Sequence, residues 1–305
     1  MTFFPEGKIS KDEKNKAYLH SLEGLKSAMD KNIILEATAV LCSLNHDLTV
    51  RLSDRLFGVV PREEGAIGIK EGKTRDIALL SRVNKPCSFV VTGFKDIDGI
   101  KTPLLSRRKA QEMCMEGYIK NLKPGDVISC TVTHLEPFGA FVDIGCGISS
   151  LIPIDLISVS RIAHPSERLS VGQEIKAVVK SISDGRVYLS HKELLGTWEE
   201  NANLFKAGET VGGTVRSKES YGVFVELTPN LAGLAEICPE AEKGMECSVY
   251  IKSIIPEKMK VKLIIIESSI KKEGEKGINY FFSGNHMDRW QYSPSSSPKL
   301  IETVF

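Results

Sequence analysis

Charge of one sign is not in excess here. The chain's 40 lysines and arginines are balanced by 39 aspartates and glutamates, for a formal net charge of +1. That excludes a protein that holds nucleic acid or an anionic membrane by bulk charge, so any such binding must come from local features. Long apolar runs are also missing. The first residues, MTFFPEGKISKDEKNK, lack the hydrophobic stretch of a secretory leader. The most apolar segment, Ile251 to Ile266, is interrupted by Pro256 and several lysines, which excludes a membrane-spanning helix. A cytoplasmic protein without a membrane partner is expected. The seven cysteines are odd in number, form no C-x-x-C pair and have no histidine pair at ligand spacing near them. A disulfide framework and a zinc site are therefore not expected, and the thiols read as reduced and mostly buried.

Catalytic signatures are absent too. There is no glycine-rich phosphate loop, no H-E-x-x-H and no G-x-S-x-G. The six histidines are scattered along the chain. Asp143 and Asp184 read as a surface-strand residue and a hairpin-turn residue rather than as an acid pair. A non-enzymatic protein with no metal and no cofactor is the expectation.

What the chain does have is an internal repeat. The segment KPGDVISCTVTHLEPFGAFVDI from Lys123 matches KAGETVGGTVRSKESYGVFVEL from Lys206 without a gap, Gly125 falling on Gly208 at an offset of 83. The same offset carries Phe138 to Tyr221, Gly139 to Gly222, Phe141 to Phe224, Val142 to Val225 and Asp143 to Glu226. Beyond Gly172, which falls on Gly244, the later unit is shorter, and Arg186-Val187-Tyr188-Leu189 falls on Lys260-Val261-Lys262-Leu263. A weaker copy lies upstream at an offset of 92, where Val40, Val50 and Val60 fall on Val132, Val142 and Ile152. That copy keeps the apolar skeleton but has His46 and Thr49 in place of the two aromatics.

Each unit reads as a set of short β-runs. In the second unit these are Val127 to Leu135, Ala140 to Ile144, Ile175 to Ile182 and Val187 to Ser190, punctuated by Pro124-Gly125, Gly145, Gly147 and Asp184-Gly185. Short strands without a long amphipathic helix point to small closed barrels, which leave no exposed strand edge. Ala17 to Met29 has the spacing of a short amphipathic helix that packs on the first barrel, and Arg107 to Asn121 reads as a helical connector.

Phe138 and Phe141 would face opposite sides of a plain strand. A bulge or tight bend at Gly139 brings both to the outer surface and leaves Ala140, Val142 and Ile144 pointing inward. Two neighbouring surface rings make a platform on which bases stack, at roughly 1–3 kcal/mol per base. An isolated F-G-x-F more often belongs to a core; its gap-free recurrence as Tyr221 and Phe224 favours the platform. Lys258, Lys260 and Lys262 alternate with Met259, Val261 and Leu263, so period two places a lysine row on one strand face, suited to phosphates or simply to solvent. Arg186 holds the place of Lys260 in the second unit and adds stacking to charge. From Tyr118 to Leu195 eight basic residues meet eight acidic ones, so stacking would carry the larger share of binding there.

The pieces GDVISCTVTHLEPFGAFVDIG, SLIPID, HPSERLSVGQEIKAVVKSI, DGRVYLSHKELLGTW and YGVFVELTPNLAGLAE together resemble the S1-type RNA-binding domain. The chain as a whole resembles the short members of the bacterial ribosomal S1 family. The resemblance is strong over about 118 to 267, weaker over 30 to 112, and absent at the two ends. It implies five-stranded OB barrels. It also implies a nucleic-acid face built from Phe138, Phe141, Asp184 and Arg186 in one unit and from Tyr221 and Phe224 in the next. The histidine usual on that face is missing, with Pro153 and Glu236 at its place. In the third unit Lys260 replaces the arginine and Pro256 lies near the place of the aspartate.

The reading is mainly β: three tandem five-stranded OB barrels with short connecting helices. The expected divisions are an N-terminal extension (1–29), a degenerate first repeat (30–106), a helical connector (107–121), a second repeat (122–195), a third repeat (204–267) and a C-terminal tail (268–305). The expected function is binding of single-stranded RNA or mRNA, with the first repeat docking on the small ribosomal subunit. A ribosome-independent RNA-binding regulator or RNA chaperone, or a protein-interaction scaffold, remains as an alternative. In the tail, Lys271, Lys272 and Lys276 read as a polar linker. Tyr280, Phe281, Phe282, Arg289, Trp290 and Tyr292 read as a cap on the third barrel or as an extra RNA- or partner-binding hairpin.

Overall fold

A computed structural model describes residues 2–97, 99–183, 185–269 and 277–305. The fold is mainly β, with three closed five-stranded barrels. The chain divides into two compact units, Met1–Leu122 with Val142–Ser150, and Lys123–Phe141 with Leu151–Phe305.

In the first unit, two helices precede the barrel, α1 (Glu13–Leu19) and α2 (Leu22–Asp30). The sequence pattern suggests one helix over 17–29. The chain instead breaks at Ser21, whose hydroxyl accepts from the Gly24 N–H and caps α2, because a serine with extended backbone is a better helix start than a helix interior. Leu25 and Ala28 of α2 are fully buried in the core of the first barrel with Phe89, Leu35, Leu48 and Leu105. That barrel is built from β1 (Leu35–Cys42), β2 (Leu48–Arg51), β3 (Phe57–Val60), β4 (Pro86–Ile97) and β5 (Ile100–Ser106), with a one-turn helix α3 (Ile77–Leu80) between β3 and β4. The strand order is β1-β2-β3-β5-β4, closed on itself. Ser106 caps the connector α4 (Arg107–Gly117), and a 3-10 turn, Ile119–Asn121, follows.

A buried ion network ties this unit together. Glu6 accepts from the Arg107 Nε at 2.8 Å, from an Arg82 guanidinium nitrogen at 2.9 Å and from the Ser88 N–H at 3.1 Å. Burial raises the Glu6 carboxyl, but the two arginines outweigh it and hold the group below its ordinary value. Asp143 is not the surface-strand residue expected from its alternation. It is buried and accepts the backbone N–H groups of Glu6, Gly145 and Gly147 at 2.7–3.0 Å. Burial, reinforced by the negative charge of Glu6, pushes its carboxyl up to about 7. None of the seven cysteines forms a disulfide, and Cys87, Cys114, Cys130, Cys146 and Cys247 are buried.

The second barrel comprises β6 (Val127–Glu136), β7 (Gly139–Asp143), β8 (Ser149–Pro153), β9 (Glu174–Ser183) and β10 (Arg186–Ser190). A short helix, α5 (Trp198–Ala202), leads to the third barrel. Its strands are β11 (Thr210–Glu219), β12 (Gly222–Thr228), β13 (Leu231–Ala235), β14 (Glu246–Ile255) and β15 (Lys260–Ser269). Both repeat the cyclic order of the first barrel, so the third strand meets the fifth in parallel: Val59 with Leu104, Leu151 with Tyr188, and Leu234 with Lys262. Ala140, Val142 and Ile144 are buried, as are their counterparts Val223 and Val225.

Inside the second unit, the last two barrels and the tail share one buried seam. Asn230 is fully buried. Its side chain accepts from the Val159 N–H at 3.0 Å and donates to the Lys192 and Gly196 carbonyls at 2.8 Å each. Its carbonyl oxygen accepts from the Tyr292 hydroxyl at 2.7 Å. Glu226, the counterpart of Asp143, is likewise buried, paired with Arg168 and with the Arg216 Nε at 2.7 Å. The tail forms a two-stranded ribbon, β16 (Arg289–Gln291) with β17 (Glu302–Val304), and buries Trp290 and Tyr292 against the third barrel's core. It also reaches the second barrel, where the Tyr280 hydroxyl accepts from the Lys176 N–H at 2.9 Å and His286 meets Asp126 at 2.7 Å. The tail is thus a clasp on two barrels, wider than a cap on one. Lys271, Lys272 and Lys276 lie outside the described residues.

His191 sits under this clasp. It is fully buried, donates from Nδ1 to the Ile157 carbonyl at 2.9 Å, and its Nε2 lies 3.4 Å from the Tyr280 hydroxyl. Burial disfavours the imidazolium and lowers its pKa from 6.5 to about 4. A base whose pKa is depressed on folding stabilises the fold above its unfolded pKa, and that contribution is lost as pH falls through the folded value. Stability should therefore drop by roughly 3 kcal/mol between pH 6.5 and 4 on account of this group. Urea unfolding across that range should show a shallower loss in His191→Asn than in wild type.

Candidate nucleic-acid interface

The two aromatic pairs arise from one local device. β6 ends at Glu136 and β7 begins at Gly139, so Pro137 and Phe138 form the turn. A Cβ on Gly139 would lie 2.5 Å from the Ile152 carbonyl oxygen, and one on Gly222 would lie 2.5 Å from the Ala235 carbonyl oxygen. Only glycine lets the hairpin press this closely on the next strand. The turn then lifts its first aromatic outward, and the strand brings the second to the same side. A tight bend at the turn, rather than a bulge at the glycine, places the pair. Phe138 and Tyr221 are 55% and 65% exposed, while Phe141 and Phe224 are half-buried. Ring centroids lie 5.9 Å apart for Phe138–Phe141 and 6.3 Å for Tyr221–Phe224, each pair edge to face. Each ring of a pair therefore offers a face in a different direction.

Strand register extends each pair into a band around its barrel. In the third barrel the outward row runs Ser217, Phe224, Leu234, Lys262 and Ser253, each paired with the next. In the second barrel His134 stacks on Phe141, with centroids 6.4 Å apart. The Ile154 N–H donates to the Phe138 carbonyl at 2.9 Å, a register that sets Phe141 beside Leu151, and Leu151 pairs with Tyr188. The row is therefore His134, Phe141, Leu151 and Tyr188. In the first barrel the same row is Leu41, Thr49, Val59 and Leu104. Aromatic, cationic and aliphatic side chains thus fill one geometric position in three barrels.

His134 and Tyr188 were not among the residues singled out from sequence. His134 is exposed and pairs with Glu136 at 2.7 Å; Tyr188 is 38% exposed. Simple alternation from the buried Val132 would turn His134 inward. The related hairpins show why it faces out: a one-residue register shift falls between Ala39 and Leu41 and again between Val215 and Ser217. Such a bulge reverses alternation beyond it. It also moves the first repeat's alignment by one residue on this strand. Ala39, which is fully buried, holds the place of Val132, and Val40 is the bulged residue. The sequence signal for Tyr188 was its alignment with Lys262.

The cationic residues divide. Arg186, Lys260 and Lys262 are exposed strand residues, with Val187, Val261 and Leu263 buried between them. Lys258 is not on that strand. It ends a 3-10 turn, Pro256–Lys258, and Met259 has left-handed backbone (φ 48°), so the expected alternation with an inward Met259 starts only at Lys260. Asp184 lies outside the described residues. His46 also has left-handed backbone (φ 64°) in the β1–β2 turn and, like Thr49, is half-buried. At the places of the missing histidine, Pro153 ends β8, and Glu236 pairs with Lys252 at 3.7 Å. Among the described residues no group of three or more potential metal ligands is found, and no helix is long and apolar enough to cross a membrane.

Residues 121–192 match the family model described as the S1 RNA binding domain. The small ribosomal subunit protein bS1 homolog of Bacillus cereus is 34% identical over 189 residues, 60% of this chain and 49% of its own. The homolog from Bacillus subtilis is 38% identical over 128 residues, 41% of this chain and 33% of its own. The solution structure of GSP13 from Bacillus subtilis aligns at 26% identity over 24% of this chain and 55% of its own, with a TM-score of 0.22. The chain resembles bS1 proteins, matches the S1 RNA binding domain over 121–192, and spans no more than about half the length of these curated relatives.

Gly139→Ala should destabilise the protein by roughly 1–3 kcal/mol, because the clash is with backbone that cannot rotate away. Gly212→Ala, where nothing lies within 4 Å of the added carbon, should be neutral. Urea midpoints of the two variants test this.

Proposed function

We propose that this chain is a non-enzymatic, cytoplasmic protein of translation that binds single-stranded RNA through its second and third barrels. The observation that carries the reading is the exposed ring pair set by a glycine that admits no side chain, present twice at the same barrel position. A core has no use for a ring that is more than half exposed in a turn, whereas stacked bases do. Arg186, Lys260 and Lys262 flank the rings and supply charge for phosphates. In this reading Lys258, in the turn, meets a backbone leaving the face. Asp184 is retained as a contact on the strength of the S1 resemblance alone. The match of 121–192 to the S1 RNA binding domain and the similarity to bS1 proteins support this function.

The first barrel has a different role in this reading. Its row has no ring and is aliphatic apart from Thr49; Leu41 of the row and Leu44 in the turn after it are exposed. Aliphatic side chains give bases little to stack on and suit a protein surface, so this barrel docks on the small ribosomal subunit while the others hold RNA.

Fluorescence anisotropy with a labelled, unstructured RNA of about a dozen nucleotides tests the RNA reading. Wild type should bind with micromolar or tighter affinity, and Phe141→Ala with Phe224→Ala should weaken binding at least about tenfold, or about 1.4 kcal/mol. Equal binding by both proteins would remove the rings from the site. Leu41→Asp with Leu44→Asp should abolish co-sedimentation with small ribosomal subunits in sucrose gradients and leave RNA affinity unchanged. If co-sedimentation persists, the first barrel is not the docking module.

A further inference from the structure

Barrels two and three share a scaffold but differ at two positions of the outward row. Where the second has His134, the third has Ser217; where the second has Tyr188, the third has Lys262. The second barrel therefore carries rings at three of the four row positions His134, Phe141, Leu151 and Tyr188, with Phe138 at the hairpin tip. Adjacent strands lie about 4.8 Å apart, so four positions span roughly 14 Å of surface. The third barrel has one row ring, Phe224, with Tyr221 at its tip, and sets Lys262 at the fifth strand with Lys260 two residues earlier on the same face. At the place of Lys260 the second barrel has Arg186, and Lys180 matches Lys252. Lys262 is thus a cation that the second barrel replaces by a ring.

Stacking and phosphate neutralisation respond differently to salt. Counterion release makes log K fall linearly with log salt, by about 0.7 for each phosphate contact on a single strand, whereas stacking releases no counterions. We propose that the two barrels hold one RNA strand by different chemistry: the second stacks its bases against His134, Phe141 and Tyr188, and the third draws its phosphates onto Lys260 and Lys262. The buried seam at Asn230 holds both faces in one compact unit. A strand bound at one face is therefore at high local concentration at the other. The second face discriminates among bases by their stacking strength, and the third takes any sequence. This proposal rests on the RNA-binding function and assigns His134 and Tyr188 to it.

The test uses the full chain at one fixed pH, 8. Affinity for oligouridylate is measured by anisotropy across a salt series for wild type, His134→Ala with Tyr188→Ala, and Lys260→Gln with Lys262→Gln. All four positions are exposed, and far-UV circular dichroism checks the fold. The ring variant should weaken binding at least about fivefold at every salt concentration with an unchanged slope. The lysine variant should lower the slope by about 1.4, from two contacts at about 0.7 each. Tyr188→Lys should steepen the slope by about 0.7, and Lys262→Tyr should flatten it by the same amount. Equal slope changes in the ring and lysine variants, or unchanged affinity in the ring variant, would overturn the division while leaving RNA binding intact. Failure of wild type to bind RNA at all would overturn both.

Discussion

Each barrel depends on a single short parallel contact between its third and fifth strands. Neighbours such as β1 and β2, β4 and β5, β6 and β9, and β11 and β12 run antiparallel, through ordinary hairpin or Greek-key connections. Without that contact the five strands form an open sheet with two exposed edges. With it the edges disappear and the interior closes around residues such as Ala140, Ile152 and Leu189. Closure also brings the fifth strand beside the third, and this makes one continuous row of outward residues from the first strand to the fifth. The row proposed to meet RNA is a by-product of closing the barrel.

On that row the three barrels diverge while their interiors stay alike. Leu41, Thr49, Val59 and Leu104 form a ringless, mostly aliphatic surface; His134, Phe141 and Tyr188 an aromatic one; Phe224 and Lys262 a mixed aromatic and cationic one. Outward positions are free to change because they pack against no other strand, whereas a change at Val142, Val225 or Ile152 would alter the volume of a filled core. Gly139 and Gly222 are exceptions on the surface side. Their constraint comes from the neighbouring carbonyl, and they recur wherever a ring pair recurs.

The second unit adds a second level of order. Asn230 satisfies its side-chain amide and its carbonyl in one buried place, joining residues of the second barrel, the third barrel and the tail. Glu226 joins the second and third barrels through Arg168 and Arg216. Buried polar groups of this kind require all their partners at once, since any one left unpaired costs the full desolvation penalty. The tail then places Trp290 and Tyr292 in the third barrel's core and Tyr280 and His286 on the second. An aromatic-rich segment that reads in sequence as a cap or as an RNA- or partner-binding hairpin packs here on two barrels.

Much of this was legible from the amino-acid order. Alternating apolar residues, punctuating glycines and a gap-free offset of 83 residues carry the number of barrels, their strands and the two ring pairs. Those features are local, and local pattern survives in any tertiary setting. The two-helix start was missed because a serine cap competes with apolar periodicity, and Lys258 was misplaced because a left-handed Met259 ends the alternation early. Tertiary structure alone decided the burial of Asp143, the outward turn of His134, and the place of Tyr188 beside Leu151 on the row that holds Phe141. Each of these depends on a bulge, a backbone N–H from a distant segment or a barrel closure. Such contacts join residues far apart in the chain, and no periodicity along a single strand encodes them.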